Sequence, residues 1–419
     1  MFSLLNLQSL LGLVVIVAVC WAISENRKAF PWRLTIGAIL VQAGLVLALF
    51  AIPGSQAVLA AVTGAVDGLA VATTEGTKFV FGYLAGGDQP YTVSSQGALF
   101  TFAFNVLPLI LVISALSALL WHWKILKWIT LGFGFLFQKT MGLGGASALA
   151  VAANIFLGMI ESPIVIRAYL DKLTRSEIFL MMVVGLATVA GSTMVAYATI
   201  LAPVLPNAAG HVLVASIVSA PAGVLLARII IPETPGMGGA VADYSSALKY
   251  DSAIDAIVKG TAAGLELLMN IIAMLLVLVA LVYLANKIVG LLPEIGGAKI
   301  SLQRLLGYVM APVCWLMGLP WPQAITAGSL MGTKTVLNEL IAYVDLSKLG
   351  PDALDPRSRL IMLYAMCGFA NFASLGIMIG GLGVMAPERR HEINALGLKS
   401  IVSGTLTTCL MGAIVGAMT

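Results

Sequence analysis

The stretch Ala152–Ala168 reads AANIFLGMIESPIVIRA and places the carboxylate of Glu161 in the middle of an apolar segment. Gly158 and Pro163, on either side of that carboxylate, disfavour one continuous helix. A charged group at membrane depth is costly, so such groups usually face a protein interior or a water-filled cavity and serve a function. The stretch therefore predicts a broken, polar element inside a membrane.

A second element of this kind lies near the other end of the chain. Residues 332–343 read GTKTVLNELIAY, an apolar stretch with Asn338 and Glu339 at its centre. Two interrupted hydrophobic segments in corresponding halves of one chain indicate a substrate site near the bilayer midplane of a secondary transporter. The two stretches together therefore predict both the class of fold and the place of its site.

The composition places the whole chain in a membrane. Of its 419 residues, 60% are hydrophobic and only 10% are charged, whereas soluble proteins carry about 25% charged residues. Hydrophobic stretches of roughly 20 residues recur along the whole length, which predicts an all-α polytopic membrane protein surrounded by lipid. The formal charge of +4 is modest, so nothing favours nucleic-acid binding. The first apolar run has no positive residue before it and predicts a retained span instead of a cleaved signal peptide.

The sequence lacks the residue sets that bond chemistry requires. Its four cysteines lie in apolar runs without paired spacing, and neither HExxH nor CxxC occurs. The three histidines flank the apolar runs, and the aspartates lie in loops or at interfaces. We therefore expect neither an enzyme nor an enzymatic cofactor.

Eight segments are long and apolar enough to be predicted as spans. Their approximate limits are 4–23, 34–52, 98–121, 177–201, 211–231, 265–284, 360–385 and 395–418. Three further apolar stretches, 56–81, 124–137 and 302–319, are typical of interfacial helices. Most positive residues fall on one side if the amino terminus lies outside the cytoplasm, and an even number of spans then returns the carboxyl terminus to the outside.

Two more segments, 145–169 and 324–343, have polar breaks and are predicted to be re-entrant hairpins that enter the bilayer from opposite sides. Irregular backbone is tolerated at that depth where protein or water surrounds it. In each half the hairpin is followed by a span with small and polar residues at its centre, at 185–193 and at 367–374. This order of elements predicts an inverted repeat.

The polar residues of this pattern also have structural interpretations. Glu161 could be a packed carboxylate, and Glu339 could form an ion pair with Lys334. Amide and hydroxyl groups within spans could join helices through hydrogen bonds without binding anything. This last alternative applies to Asn154, Thr188, Asn371 and Ser374.

Three motifs resemble those of the concentrative nucleoside transporters, and their order agrees with that family. They are AANIFLGMIESPIVIRAYL at 152–170, GxKxxxNExxAY at 332–343 and CGFANFAS at 367–374. The resemblance covers nearly the whole chain and is closest to the bacterial branch, which has eight spans. It implies a homotrimer in the inner membrane that imports nucleosides together with sodium ions or protons by an elevator movement.

The resemblance also implies a scaffold part and a transport part. Residues 1–122 and 253–301 would form the scaffold part. Residues 123–252 and 302–419, which contain both hairpins, would form the transport part that carries the substrate. The moving site would thus be built from two separate stretches of chain.

The same resemblance assigns the polar residues to a sodium site and a nucleoside site. For sodium it implies side-chain ligands from Asn154 and Thr188 and backbone carbonyls from Leu157 and Val189. The base would be surrounded by Gly158, Met159, Ile160, Glu161, Thr193 and Phe369, and the ribose hydroxyls would be bound by Glu339, Asn371 and Ser374.

The chain departs from the family pattern in the base pocket. Many members have Gln-Thr before the first hairpin glutamate, where this chain has Met159 and Ile160. Two hydrogen-bonding side chains are thereby lost, which predicts looser recognition of the base. Leu340 replaces the usual Phe and is expected to change only packing, while Thr188 stands where Ser is common and keeps the hydroxyl.

The leading interpretation is a sodium-coupled nucleoside symporter. A proton-coupled carrier, with Glu161 or Glu339 cycling its proton, is the alternative within transport. A channel or an intramembrane enzyme would be a different class, and the sequence contains no catalytic set for the latter. Oxygen ligands around Asn154 and Thr188 favour a hard cation such as sodium.

Overall fold

A computed structural model describes residues 4–51, 55–92, 101–233, 249–294 and 299–419, and within these ranges the regular structure is helical. The α-helices are α1 (Leu4–Ala22), α2 (Trp32–Ala51), α3 (Ser55–Phe81), α4 (Phe102–Asn105), α5 (Leu109–His122), α6 (Ile125–Met141), α7 (Gly145–Asn154), α8 (Glu161–Val165), α9 (Arg175–Ala187), α10 (Gly191–Leu201), α11 (Ala208–Ile230), α12 (Ala253–Val289), α13 (Leu302–Leu316), α14 (Trp321–Val336), α15 (Glu339–Lys348), α16 (Pro356–Met366), α17 (Phe372–Met385) and α18 (Arg390–Met418). The all-α prediction is confirmed for the described residues.

Six helical segments of the described chain are long and apolar enough to cross a membrane, so the protein is a multi-pass membrane protein. They are Leu4–Ala22, Phe102–His122, Arg175–Leu201, Ala208–Ile230, Ala253–Val289 and Pro387–Met418. The other two predicted spans correspond to α2 and to the interrupted pair α16 and α17. The total of eight spans, and the interfacial placement of α3, α6 and α13, remain predictions.

Four interruptions in the helices occur where the sequence predicts polar breaks. The two hairpins are interrupted at 155–160, between α7 and α8, and at 337–338, between α14 and α15. The two following spans are interrupted at 188–190 and at 367–371. Each half therefore contains a broken hairpin followed by a broken span, in the same order.

Asparagines begin the helices that follow two of these breaks. The side-chain oxygen of Asn338 accepts a hydrogen bond from the Ile341 backbone N–H, 2.9 Å away, and caps α15. The side-chain oxygen of Asn371 caps α17 by accepting from the Ser374 N–H at 2.7 Å. Asparagine is a favoured N-cap residue because this bond satisfies a backbone donor that lacks a helical partner.

Glycines allow the closest helix contacts. On α12, Gly260 and Gly264 lie against α5, where an added Cβ would stand 2.7 Å from Ala118 and 2.9 Å from Ser114. Such distances are shorter than real side chains tolerate. α12 is therefore attached along α5, while most of its remaining apolar surface is exposed.

Loops predicted to share the cytoplasmic side meet at one end of the molecule. Glu25, after α1, binds Arg175 at 3.0 Å and Lys399 of α18 at 2.7 Å. The hydrogen bond from Arg175 lowers the pKa of the Glu25 carboxyl. Arg389 donates to the carbonyl of Leu173 at 2.8 Å. These contacts place the positive loops before α2, α9 and α18 on the same side.

Candidate functional site

The four breaks lie next to one another. The Gly191 N–H, at the start of α10, donates to the carbonyl of Phe156 in the first hairpin, 3.1 Å away. Gly368, in the break before α17, has a φ of 157°, and an added Cβ there would stand 2.8 Å from the carbonyl oxygen of Ala187. Glycine is required at such a position because neither the angle nor the space suits a side chain. The two halves of the repeat therefore meet at their irregular segments.

A cavity of about 250 Å³ lies where these segments face α12. All nine residues predicted to bind a nucleoside line it. They are Gly158, Met159, Ile160, Glu161, Thr193, Glu339, Phe369, Asn371 and Ser374. The structure thus brings the predicted substrate residues together, while their binding of a ligand remains a prediction.

Glu339, which lines this cavity, is held by two hydrogen-bond donors. Its carboxylate is buried and accepts hydrogen bonds from the Tyr197 hydroxyl at 2.5 Å and from the Asn371 amide at 2.8 Å. The alternative interpretation, an ion pair with Lys334, is not formed: among the described residues no ion pair joins the two side chains, and the Lys334 amine donates to Ala365 and Thr408. Bonds from two fixed donors orient the carboxylate towards the cavity and reduce the cost of burying it.

Tyr197 is a site residue that sequence reasoning missed. It lies on α10 four residues after Thr193, so the two side chains project from the same helical face. That spacing is the signal that could have revealed it. Its ring also lies 5.1 Å from that of Tyr343.

Asn371 has two roles that fix its orientation. Its oxygen caps α17 through the Ser374 N–H, so its amino group faces Glu339. The cap and the site are therefore linked, because turning the amide over would lose both hydrogen bonds. Ser374 is placed by the same turn, and its side chain borders the cavity.

Glu161 differs from Glu339 in being half-buried at the cavity wall. It is the first residue of α8, and the positive end of a helix favours an anion there. Its carboxylate folds back against Gly158 and occupies the space that a Cβ at 158 would need. A side chain at position 158 would therefore displace the carboxylate of Glu161 from this place.

The rest of the cavity wall is mostly apolar. Met159 and Ile160 are half-buried beside Glu161, and Phe369, in the break of the second span, lines the same cavity. One wall comes from α12, which sequence reasoning did not include. Its lining residues are Ala263, Glu266, Leu267, Asn270, Ile271 and Met274.

The residues predicted to bind sodium lie beside the first pair of breaks. Asn154 ends α7 and is almost fully buried, yet neither atom of its amide has a hydrogen-bond partner among the described residues. The Thr188 hydroxyl donates to the Val184 carbonyl at 2.8 Å and keeps its lone pairs for another group. Leu157 and Val189 are buried nearby in the two breaks.

The oxygen atoms near these two breaks are suitable ligands for a hard monovalent cation. The hydroxyl of Ser216, on α11, lies between the two breaks, 3.4 Å from the carbonyl oxygen of Ile155 and 3.3 Å from that of Val189, and its one proton can be donated to either. The described residues contain no cluster of three or more His, Cys, Asp or Glu that could hold a metal ion. The groups near the two breaks are neutral amide, hydroxyl and carbonyl oxygens, and the buried Asn154 amide has no hydrogen-bond partner among the described residues.

Profiles of known families match most of the chain. The profile described as "Na+ dependent nucleoside transporter C-terminus" matches residues 211–416, and the corresponding N-terminus profile matches residues 11–84. Between them, the profile described as "Nucleoside recognition" matches residues 103–204. The last of these ranges contains the first hairpin and the broken span after it.

Relatives resemble the chain over its full length. It is 39% identical to the uncharacterized transporter YutK of Bacillus subtilis, with 98% of both chains covered. It is 35% identical to the nucleoside permease NupC of Helicobacter pylori, and the match covers 98% of this chain and 97% of that relative. A structure of CNTnw, described as inward-facing and substrate-bound, superposes with a TM-score of 0.88 at 34% identity and covers 99% of both chains.

Proposed function

The chain belongs to the concentrative, Na⁺-dependent nucleoside transporters, which are not enzymes, and on this premise we propose that it imports nucleosides across the cytoplasmic membrane together with sodium ions. The observation that carries the proposal is that both hairpins and both broken spans line one cavity. A substrate site at the meeting point of two broken repeats is typical of secondary transporters.

The cavity suits a neutral molecule with a polar sugar and a flat ring. Carboxylates accept hydrogen bonds from hydroxyl groups, so Glu339, with Asn371 and Ser374 beside it, would bind the ribose. Phe369 and the aliphatic side chains of the cavity wall offer faces against which a base can pack. Glu161 would accept from donor groups of the base.

The sodium ion would bind at Asn154 and Thr188, with the carbonyls of Leu157 and Val189. The unpartnered Asn154 amide supports this assignment, because a buried polar group without a partner is costly. The Gly191–Phe156 hydrogen bond joins the two breaks beside these residues. Bound sodium would therefore order the same segments that line the nucleoside cavity, which is a physical basis for coupling.

The elevator movement and the homotrimer remain part of the proposal. We keep α5 and α12, which pack on each other, as the core of the scaffold part. The resemblance assigns α1 to the scaffold part together with the rest of residues 1–122. We place α1 with the transport part instead, because Asn6 donates to the carbonyls of Gly416 at 3.2 Å and Ala417 at 3.1 Å. Ser9 likewise donates to the carbonyl of Met317 at 2.9 Å. A helix bonded in this way to residues 302–419 would have to move with them.

The decisive experiment is uptake of radiolabelled uridine by proteoliposomes that contain the purified protein. We expect accumulation with an inward sodium gradient and little uptake when choline replaces sodium, with protein-free liposomes as the control. Accumulation driven by a proton gradient without sodium would instead support the proton-coupled carrier. Equal uptake with and without any gradient would indicate a channel and would overturn the proposal.

A further inference from the structure

Lys334 is a cation buried in the protein next to the nucleoside cavity, yet it does not line that cavity. It lies two residues before the end of α14, and its side chain is completely inaccessible to solvent. Its amine donates to the carbonyl of Ala365 at 3.0 Å and to the Thr408 hydroxyl at 2.8 Å. A buried ammonium is expensive and is normally paired with an anion.

The two oxygens that accept hydrogen bonds from this ammonium are both neutral. Within the described chain, no carboxylate oxygen lies within 4.0 Å of it. The acidic residue five positions later, Glu339, accepts hydrogen bonds from Tyr197 and Asn371 instead. Ala365 lies in the last turn of α16, where unsatisfied carbonyls carry partial negative charge. The amine thus serves as a cation at the interrupted end of a helix.

The first half of the repeat has a different arrangement at the corresponding junction. There α7 packs against α9, and the polar groups at their ends are the Asn154 amide and the Thr188 hydroxyl. Among the described residues, no cationic side chain hydrogen-bonds to the Asn154 amide. In each half a hydroxyl reaches the junction from the long helix that follows the broken span. This hydroxyl belongs to Ser216 of α11 in the first half and to Thr408 of α18 in the second.

We propose that the Lys334 ammonium is a tethered cation that fills, in the second half of the repeat, the role that the exchangeable sodium ion has in the first. The first half would be ordered only while sodium is bound, and the second half would be ordered permanently. The sodium comparison rests on the proposed function, whereas the role of the ammonium in holding α16 does not.

The chain of contacts makes Lys334 a positioning residue for the ribose carboxylate. The ammonium holds the end of α16, which leads directly into the break at 367–371 and to Asn371. Asn371 in turn donates to Glu339 at 2.8 Å. Loss of the charge would therefore loosen the break and weaken nucleoside binding, although Lys334 itself touches no substrate.

The test uses chemical replacement of the missing side chain. Lys334→Ala leaves a cavity with the shape of a propylammonium ion, while Lys334→Met fills the same space with an uncharged chain. Melting temperatures of both purified variants are measured in sodium-free choline buffer with and without n-propylammonium. We expect n-propylammonium to raise the melting temperature of Lys334→Ala and to leave Lys334→Met and the wild type unchanged. No rise in the alanine variant, or an equal rise in all three proteins, would overturn the tethered-cation role.

Uridine binding supplies the second readout. Lys334→Met should bind uridine about tenfold more weakly or worse, since hydrogen bonds from a charged donor are lost. Thr408→Val keeps the charge of Lys334 and the volume of the side chain, and it should weaken uridine binding by less than Lys334→Met does. If the lysine variants do not fold, the uridine affinity of Thr408→Val tests the proposal. The exposed Lys348 on the same hairpin gives the matched control, and Lys348→Ala should bind as the wild type does. Wild-type affinity in both Lys334→Met and Thr408→Val would refute the proposal, whereas a wild type that binds no uridine would refute the proposed function and leave the melting experiment decisive.

Discussion

The two hairpins have the same order of elements but differ in whether their buried polar side chains have hydrogen-bond partners. In the first, around 155–160, Glu161 is half-buried and the Asn154 amide has no partner among the described residues. In the second, around 337–338, Glu339 is buried with both carboxylate oxygens bonded. One break is thus incomplete without a further group, and the other is satisfied by the protein itself.

This difference indicates where a transported ion can act. Buried polar groups are normally hydrogen-bonded, so an unpartnered one marks a place for a ligand. A self-satisfied network keeps its geometry whether or not a ligand is present. We therefore expect the second hairpin to form a preorganised sugar site and the first to respond to sodium.

The largest effect should come from disturbing the satisfied hairpin. Glu339→Gln removes the charge that accepts from Tyr197, Asn371 and, by our proposal, the ribose hydroxyls. Because a hydrogen bond to a charged group is worth about 1.5–3 kcal/mol, uridine should bind about tenfold more weakly or worse. Isothermal titration of the purified variant measures this loss.

Two comparisons separate sugar recognition from general damage. Tyr197→Phe keeps the carboxylate and removes one of its two donors, so it should cost less affinity than Glu339→Gln. Free uracil, which has no ribose, should compete poorly with uridine on the wild type. Strong competition by uracil would show that the base alone is recognised and would remove Glu339 from the sugar site.

The next effect concerns the incomplete hairpin. Asn154→Ala, or Thr188→Val, removes a side-chain oxygen from the predicted sodium site. Each should raise the sodium concentration needed for half-maximal uridine uptake and diminish the rise in melting temperature that sodium causes in the wild type, since a ligand stabilises only what it binds. Uptake curves and melting curves at graded sodium concentrations measure both quantities.

The matched control for these variants is Thr193→Val, which removes a hydroxyl from the nucleoside cavity and not from the sodium site. Its sodium dependence of thermal stability should equal that of the wild type. If Asn154→Ala and Thr188→Val are correctly inserted and keep an unchanged sodium dependence, these residues do not bind the ion and the difference between the hairpins has another cause.

The breaks could be predicted because their causes are local. Gly158 and Pro163 disfavour a continuous helix, and Asn338 and Asn371 are N-caps that bond to backbone three residues later. The positions of the interruptions therefore follow from short stretches of sequence. The nine cavity residues could be grouped because the inverted repeat and the resemblance together place the breaks at one depth.

The partners across the breaks could not be predicted in this way. Tyr197 meets Glu339 from 142 positions away, and Lys334 meets Thr408 from 74 positions away. Such contacts depend on how the two halves pack, and a single sequence contains no local sign of them. The nearby lysine suggested an ion pair with Glu339, but donors from other helices occupy both carboxylate oxygens. The attachment of α1 to α18 is likewise a matter of packing.

The smallest expected effect concerns recognition of the base by the first hairpin, in contrast to recognition of the sugar by the second. Met159 and Ile160 of the first hairpin line the cavity without hydrogen-bonding groups in their side chains. A site that hydrogen-bonds its ligand rejects analogues because buried polar groups are left unpaired, and these two side chains leave none. Methionine also adapts to rings of different size. We therefore expect purine and pyrimidine nucleosides to bind with similar affinity.

Replacing both residues by Gln and Thr should sharpen the preference for one base while leaving sugar recognition by the second hairpin unchanged. Inhibition constants for uridine, cytidine, adenosine and inosine on the wild type and the double variant measure the first effect, and competition by free ribose measures the second. A wild type that already separates these nucleosides by more than about 100-fold, roughly 2.7 kcal/mol, would contradict the loose pocket. Base specificity would then have to come from Glu161, from Thr193 or from ordered water. The lack of hydrogen-bonding groups in the side chains of Met159 and Ile160 would not have loosened the recognition of the base.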